Sequence, residues 1–372
     1  MMSDSLNVVP EGTPYLLIDS AKMEHNILKM AEVARKNGVA LIPHVKTHKI
    51  PRIARQQLDA GAKGITVAKL SEAEVMAQAG IEDIFIAYPL VTDTKIRRAV
   101  RLGKRARLIV GVDSLEGARR LSSVAKTEDH ILEARLEVDT GLRRTGVAYD
   151  EAVELASGIA SLENLNLVGI YTYRGAVLGG SQTLELEKAG LEEGRLMVSL
   201  AHRMRERGFR VDDVSLGSTP TVEYVARVKG VTEIRPGTYV FYDRMQAHLG
   251  ACSLDECAAT VVCTVVSRPS ENLAVIDGGS KTFATDVPPG AEPLYLEGFG
   301  HVVGYPGAVL ERLTEEHGML ALVRDCDLGV GDTIEIIPNH ICSTVNLHNE
   351  VYLADEGGSL EEVRVAARGK VR

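Results

Sequence analysis

Two short runs carry the residue types from which catalysis is built. The first is Pro43-His44-Val45-Lys46-Thr47-His48-Lys49, a cluster of cations straight after the apolar run Ala40–His44. If that run is a strand, Lys46 stands at its carboxyl end, where desolvation among apolar neighbours can lower a lysine pKa and leave a nucleophilic amine. A basic surface loop gives the same composition. The second run is Pro338-Asn339-His340-Ile341-Cys342-Ser343-Thr344-Val345-Asn346. On a strand, the two-residue step from His340 to Cys342 would put both side chains on one face. One metal ion could then take both, with open positions for water and substrate. A buried histidine and a buried cysteine are the alternative.

These groups need a scaffold, and the chain reads as a series of strand–helix units. Tyr15–Ile18 reads as a short strand. Asp19 and Ser20 can cap a helix that Gly38 ends. Candidate strands follow at Ala40–His44, Gly64–Val67, Ile84–Ala87, Ala106–Val110, Ala134–Glu137, Leu167–Thr172, Asp213–Leu216 and Glu233–Arg235, with helical patterns such as Ser71–Gln78 and Leu184–Arg207 between them. That number closes a TIM-like (β/α)8 barrel, whose active site lies at the carboxyl ends of its strands. A doubly wound open sheet is the competing arrangement. After about residue 245 the pattern changes to short β-rich runs: Ala258–Val266, Leu273–Ile276, Met319–Val323, Thr333–Ile337 and Val351–Leu353. The expected organisation is an α/β barrel over residues 20–245 and a mostly β domain over 246–372. Residues 1–19 are expected to pair with the second.

The phosphate-binding corner of such barrels lies after strands seven and eight. Gly217-Ser218-Thr219 follows the seventh candidate strand, and Gly237 follows the eighth. A turn of small residues offers backbone amides and hydroxyls to an anion. The Tyr239 backbone would complete the cradle. Two ordinary turns would look the same.

With these runs in place, the chain resembles the D-threonine aldolase and D-serine dehydratase family, fold-type III pyridoxal-phosphate enzymes with an alanine-racemase-like barrel. The resemblance runs from Thr13-Pro14 and Asp19 through His44-Val45-Lys46-Thr47-His48-Lys49, Glu72-Ala73-Glu74 and Ala87-Tyr88-Pro89. It continues in Asp139-Thr140-Gly141-Leu142-Arg143-Arg144-Thr145-Gly146, Gly217-Ser218-Thr219-Pro220-Thr221 and Arg235-Pro236-Gly237-Thr238-Tyr239. It implies that Lys46 is the Schiff-base lysine of pyridoxal 5'-phosphate and that Arg144 faces the cofactor's phenolic oxygen. By the same resemblance Tyr173 would lie near the pyridine ring, and Gly217, Ser218, Thr219, Gly237 and Tyr239 would bind the phosphate. It also implies that His340 and Cys342 hold a divalent metal. The thiolate favours zinc; manganese or magnesium would suit a carboxylate better.

The activity implied is a lyase of D-β-hydroxy amino acids. D-threonine aldolase ranks first, D-serine or hydroxyaspartate dehydratase second and an amino-acid racemase third. A non-catalytic pyridoxal-phosphate carrier would not need His340 and Cys342. In one place the chain departs from the aldolase pattern: no histidine follows Tyr173 in Tyr173-Arg174-Gly175-Ala176. No acidic partner for the ring nitrogen stands out.

Composition sets the outer limits. The net charge of −9 argues against a nucleic-acid partner. No apolar run is long enough to span a bilayer, and Met1–Pro10 lacks the layout of a signal peptide. The expected setting is the cytoplasm, with a small D-amino acid as substrate and a second copy of the chain as partner in a homodimer. The 5 cysteines form no paired framework, as expected of reduced thiols.

Overall fold

The computed structural model describes residues 10–324 and 326–372. It divides into two compact units. One holds Lys29–Lys46, Pro51–Gly237 and Lys370–Arg372; the other holds the chain up to Leu28, Thr47–Ile50 and Thr238–Gly369.

The first unit is a barrel of parallel strands. In sheet order they are Ala40–Leu41, Glu233–Ile234, Asp213–Leu216, Leu165–Tyr171, Leu132–Asp139, Arg107–Val112, Asp83–Pro89 and Ile65–Val67. The two ends of this list meet through a parallel bridge between His44 and Thr66. The Val45 amide donates to the Thr66 carbonyl at 2.9 Å, and the Thr66 amide to that of Pro43 at 2.8 Å. The sheet is therefore a TIM-like ring and not an open doubly wound sheet. Its strands are apolar runs because helices cover the outer face and side chains fill the interior; Ile65–Val67 is buried throughout.

The barrel interior also holds charge. Arg135 is almost fully buried and pairs with Asp213 at 2.6 Å and Glu233 at 2.7 Å. Its guanidinium lies over the Phe85 ring. Removing an arginine so placed would strand the buried Glu233 and the half-buried Asp213, so this cluster holds neighbouring strands in register.

The second unit is an antiparallel sheet ordered Leu273–Ile276, Gly318–Leu322, Ala308–Leu313, Gly300–Val302, Thr333–Pro338, Ala259–Ser270, Tyr15–Asp19, Glu350–Ala354 and Leu360–Arg364. Ala259–Ser270 also pairs with Leu273–Ile276, which closes the first six strands into a ring. Tyr15–Asp19 pairs antiparallel with Ala259–Ser270 and parallel with Glu350–Ala354. The part of the expected N-terminal pairing that falls on residues 1–9 lies outside the described residues. Asp19 then caps the helix Ser20–Asn37, accepting the Lys22 amide at 3.0 Å.

Three strands of this sheet, Gly300–Val302, Ala308–Leu313 and Leu360–Arg364, were not expected from sequence. His340 and Cys342 are not on a strand. Thr333–Pro338 ends before them, and His340 caps the short helix Ile341–Val345. The cause is Asp243, whose buried carboxylate accepts the Ile341 amide at 3.0 Å and so turns the chain away from the sheet. Among the described residues no helix is long and apolar enough to cross a membrane.

Candidate active site

Lys46 follows the end of the first barrel strand, with its amide 3.5 Å from His44 Nδ1. Its side chain is half-buried. Among the described residues no carboxylate pairs with it, which leaves the amine open to react. Its Nζ lies 5.4 Å from the centre of the Tyr173 ring, and the Arg144 guanidinium lies 5.0 Å from the same ring. Lys46, Arg144 and Tyr173 thus come together around one aromatic face. Lys49 is different: its ammonium donates to Asn346 Oδ1 at 2.9 Å, and its backbone has φ 56°.

Arg144 is exposed, on a loop held at both ends. Asp139 Oδ1 accepts the Gly141 amide at 2.8 Å and the Arg143 amide at 3.1 Å. Gly146 closes the loop at φ 103°, where a Cβ would come within 2.7 Å of the Asp139 amide nitrogen. Only glycine fits there.

Gly217 and Gly237 follow the paired strands Asp213–Leu216 and Glu233–Ile234. Gly217 adopts φ 88°, a left-handed turn. Ser218 and Thr219 are buried. The Ser218 carbonyl accepts the amides of Thr221 and Val222, and the Ser218 hydroxyl meets that of Thr221 at 3.0 Å. The turn is made of small residues and stands at the carboxyl ends of two neighbouring strands, where an anion could be received. Tyr239, buried in the turn Thr238–Val240, belongs to the second unit.

In that unit, Asp286 Oδ2 lies 2.7 Å from His340 Nδ1. Cys342 Sγ lies 3.2 Å from the Thr47 hydroxyl and 3.4 Å from that of Thr238. Burial opposes charge on both His340 and Cys342, but each favours the ion of the other. The thiol is pulled below its ordinary range, and the imidazole is pushed up to about 11, helped by Asp286. In the absence of metal each group thus favours the charged form of the other, thiolate beside imidazolium. Burial raises Asp243 to about 6, against the charge of His340 and two backbone amides.

A thiolate and an imidazole oriented through its other nitrogen by a carboxylate fit a soft divalent ion. Among the described residues no group of three or more His, Cys, Asp and Glu side chains could hold a metal, so water or substrate would have to complete the coordination. Asp286, Thr47 and Thr238 were not given roles from sequence. His317 is exposed, and its carbonyl accepts the Thr314 amide. Asp277 accepts the Thr13 hydroxyl and the Thr264 amide, a structural role.

Comparison with known proteins agrees with this architecture. The family model for the alanine racemase N-terminal domain matches residues 18–245, and that for a putative serine dehydratase domain matches residues 258–354. The chain is 30% identical to a D-threonine aldolase from Arthrobacter sp. over 96% of its length and 93% of that protein. It is 32% identical to D-threo-3-hydroxyaspartate dehydratase from Delftia sp. (strain HT23), over 92% of its length and 93% of that protein. The solved structure of the Delftia enzyme superimposes with a TM-score of 0.88 at 31% identity, covering 95% of this chain and 97% of that one. Solved D-threo-3-hydroxyaspartate dehydratase mutants include one with a histidine replaced by alanine and one with a cysteine, two positions further on, replaced by alanine in the metal-free form. With a parallel barrel carrying Lys46 and an antiparallel domain carrying His340 and Cys342, this chain belongs to the alanine-racemase-like, fold-type III pyridoxal-phosphate family that includes the D-threonine aldolases and D-hydroxyaspartate dehydratases.

Proposed function

We propose that the chain is a pyridoxal-phosphate- and divalent-metal-dependent lyase of D-β-hydroxy amino acids that works by eliminating the β-hydroxyl, yielding ammonia and a keto acid. The observation that carries this reading is the His340–Cys342 pair, with its thiolate character and the Asp286 carboxylate on the outer imidazole nitrogen. A histidine and a cysteine at the same spacing are the positions altered in the dehydratase mutants.

From sequence alone, aldol cleavage ranked first. It needs an acceptor for the β-hydroxyl proton. The residue after Tyr173 is Arg174, a donor only, fully buried and spent on the Thr140 and Ala189 carbonyls and on Glu192. Elimination makes no such demand. Aldol cleavage is kept as the second reading on the similarity to the Arthrobacter D-threonine aldolase.

Pyridoxal phosphate, when bound, supplies the electron sink that makes the α-proton removable. Lys46, Arg144 and Tyr173 would hold its ring end, and Gly217, Ser218, Thr219, Gly237 and Tyr239 its phosphate. Lys46 Nζ would be the group to take the substrate α-proton. His340 and Cys342 would hold a divalent ion, which would supply Lewis acidity at the substrate hydroxyl. The Cβ–O bond would break with that proton returned to the hydroxyl, which leaves as water, and the enamine would take up water to give the keto acid and ammonia.

The test is a product analysis with D-serine, D-threonine and D-threo-3-hydroxyaspartate, with zinc and with a chelator. Zinc-dependent ammonia and keto acid are expected. Glycine with an aldehyde as the only products would replace elimination by aldol cleavage.

A further inference from the structure

We propose that Glu137 is the positioning residue for Arg144, acting through Thr145 and through its own charge. This rests on the reading above that Arg144 faces the cofactor. Glu137 lies in the strand Leu132–Asp139 and is 3% exposed. Its Oε1 accepts the hydroxyl of Thr145, the residue after Arg144, at 2.8 Å. Its Oε2 accepts the hydroxyl of Tyr171 at 2.9 Å.

The Tyr171 bond is built into the barrel. Tyr171 is 1% exposed, with its ring edge-on to Phe85 at 4.9 Å. Its hydroxyl occupies the space beside Gly111, where a Cβ would sit only 2.2 Å away. A side chain at that position would push Tyr171 off Glu137.

A neutral residue could anchor a loop. A buried carboxylate is costly unless its charge is used. Burial pushes the Glu137 pKa up, while the two hydroxyl bonds and the Arg144 charge pull it back. Arg144 itself makes no ion pair among the described residues; burial leaves the Glu137 pKa raised on balance, and the Arg144 charge is among the influences that favour the carboxylate, so Glu137 is placed to act as its counter-charge. Asp139 and Gly146 fix the loop backbone; Glu137 fixes Thr145 and balances the guanidinium.

The test uses the holoenzyme and three variants: Glu137→Gln, Thr145→Val and Arg144→Lys, with Thr145→Ser as the conservative control. Two readouts are followed. One is the midpoint of the pH-dependent absorbance change of the bound cofactor. The other is kcat and KM on the fastest substrate of the panel. Glu137→Gln removes the counter-charge and strengthens the field of Arg144. The midpoint is then expected to fall by roughly half a unit or more. An accompanying fall in kcat of at least about tenfold is expected, with KM changed less than about threefold. Thr145→Val should lower kcat in the same way, and Thr145→Ser should restore it. If Glu137→Gln fails to fold, Thr145→Val and Thr145→Ser still decide the matter: equal kcat in both overturns the proposal. A normal midpoint in Glu137→Gln while Arg144→Lys shifts it overturns the role of Glu137 alone. A midpoint unmoved by Arg144→Lys overturns the placement of Arg144, and the proposal with it.

Discussion

One carboxylate oxygen of Asp286 binds both His340 Nδ1, at 2.7 Å, and the Ser343 hydroxyl, at 2.8 Å. The imidazole is thereby held at one nitrogen and presents the other. Outer carboxylates of this kind fix ring orientation and raise ligand basicity, and their loss costs metal affinity. Asp286→Ala is expected to weaken zinc binding by about 10- to 100-fold while leaving the cofactor bound. Competition with a chromophoric chelator measures the first, and cofactor absorbance the second. Unchanged zinc affinity would remove Asp286 from the site.

The charge state of the same pair predicts a pH dependence. His340 is pushed up to about 11, so near neutral pH the metal-free imidazole carries a proton, beside a thiol whose pKa is lowered. A metal needs that imidazole neutral, so one proton must leave as the ion binds. Zinc affinity should therefore rise with pH, about tenfold per unit below the His340 value. Calorimetry in buffers of different ionisation enthalpy should report release of about one proton per ion. Release near zero would mean that the imidazole is already neutral in the metal-free protein.

Lys46 and Lys49 are close in sequence but not in circumstance. Lys49 is buried and bound to Asn346, whereas Lys46 lies near Tyr173 without a carboxylate partner. Borohydride reduction followed by peptide mapping should place the pyridoxyl group on Lys46. Lys46→Ala should lose the absorbance of the lysine-bound cofactor. A label on Lys49 or Lys281 would overturn this assignment.

Much of this was legible in the sequence, for physical reasons. Barrel strands such as Arg107–Val112 are covered on both faces and read as unbroken apolar runs. The strands that escaped notice lack that signal: Gly300–Val302 is three residues long, and Leu360–Arg364 is charged, at the sheet edge, and has no buried residue. Lys46, Arg144 and the Gly217 turn stood out because each lies at a strand end within a distinctive run. Asp286 stands 54 positions from His340, and Thr238 stands 104 from Cys342, so no local pattern links them. Thr47 sits inside the lysine motif, yet its partner Cys342 is 295 positions away. The helical turn at Ile341 depended on Asp243, another distant residue.

Gly111 gives the sharpest test of the barrel interior. A Cβ there would lie 2.2 Å from the Tyr171 hydroxyl oxygen, 3.1 Å from Tyr171 Cζ and 3.2 Å from the Tyr88 amide nitrogen. The backbone of Tyr88 is held in the strand Asp83–Pro89, and Tyr171 is packed against Phe85 with no open space to enter. Gly111→Ala must therefore displace the tyrosine hydroxyl from Glu137 or shift a strand. Overpacking of this sort costs about 1–3 kcal/mol. Tyr171→Phe removes the clashing oxygen, at the cost of one acceptor bond on Glu137. If the clash is as placed, the double variant Gly111→Ala/Tyr171→Phe will be more stable than the sum of the single losses by about 1 kcal/mol or more. Denaturant unfolding of the four proteins in the cycle measures this coupling. Simple additivity would show that the methyl group is absorbed elsewhere and that Gly111 is not what gives Tyr171 its reach to Glu137.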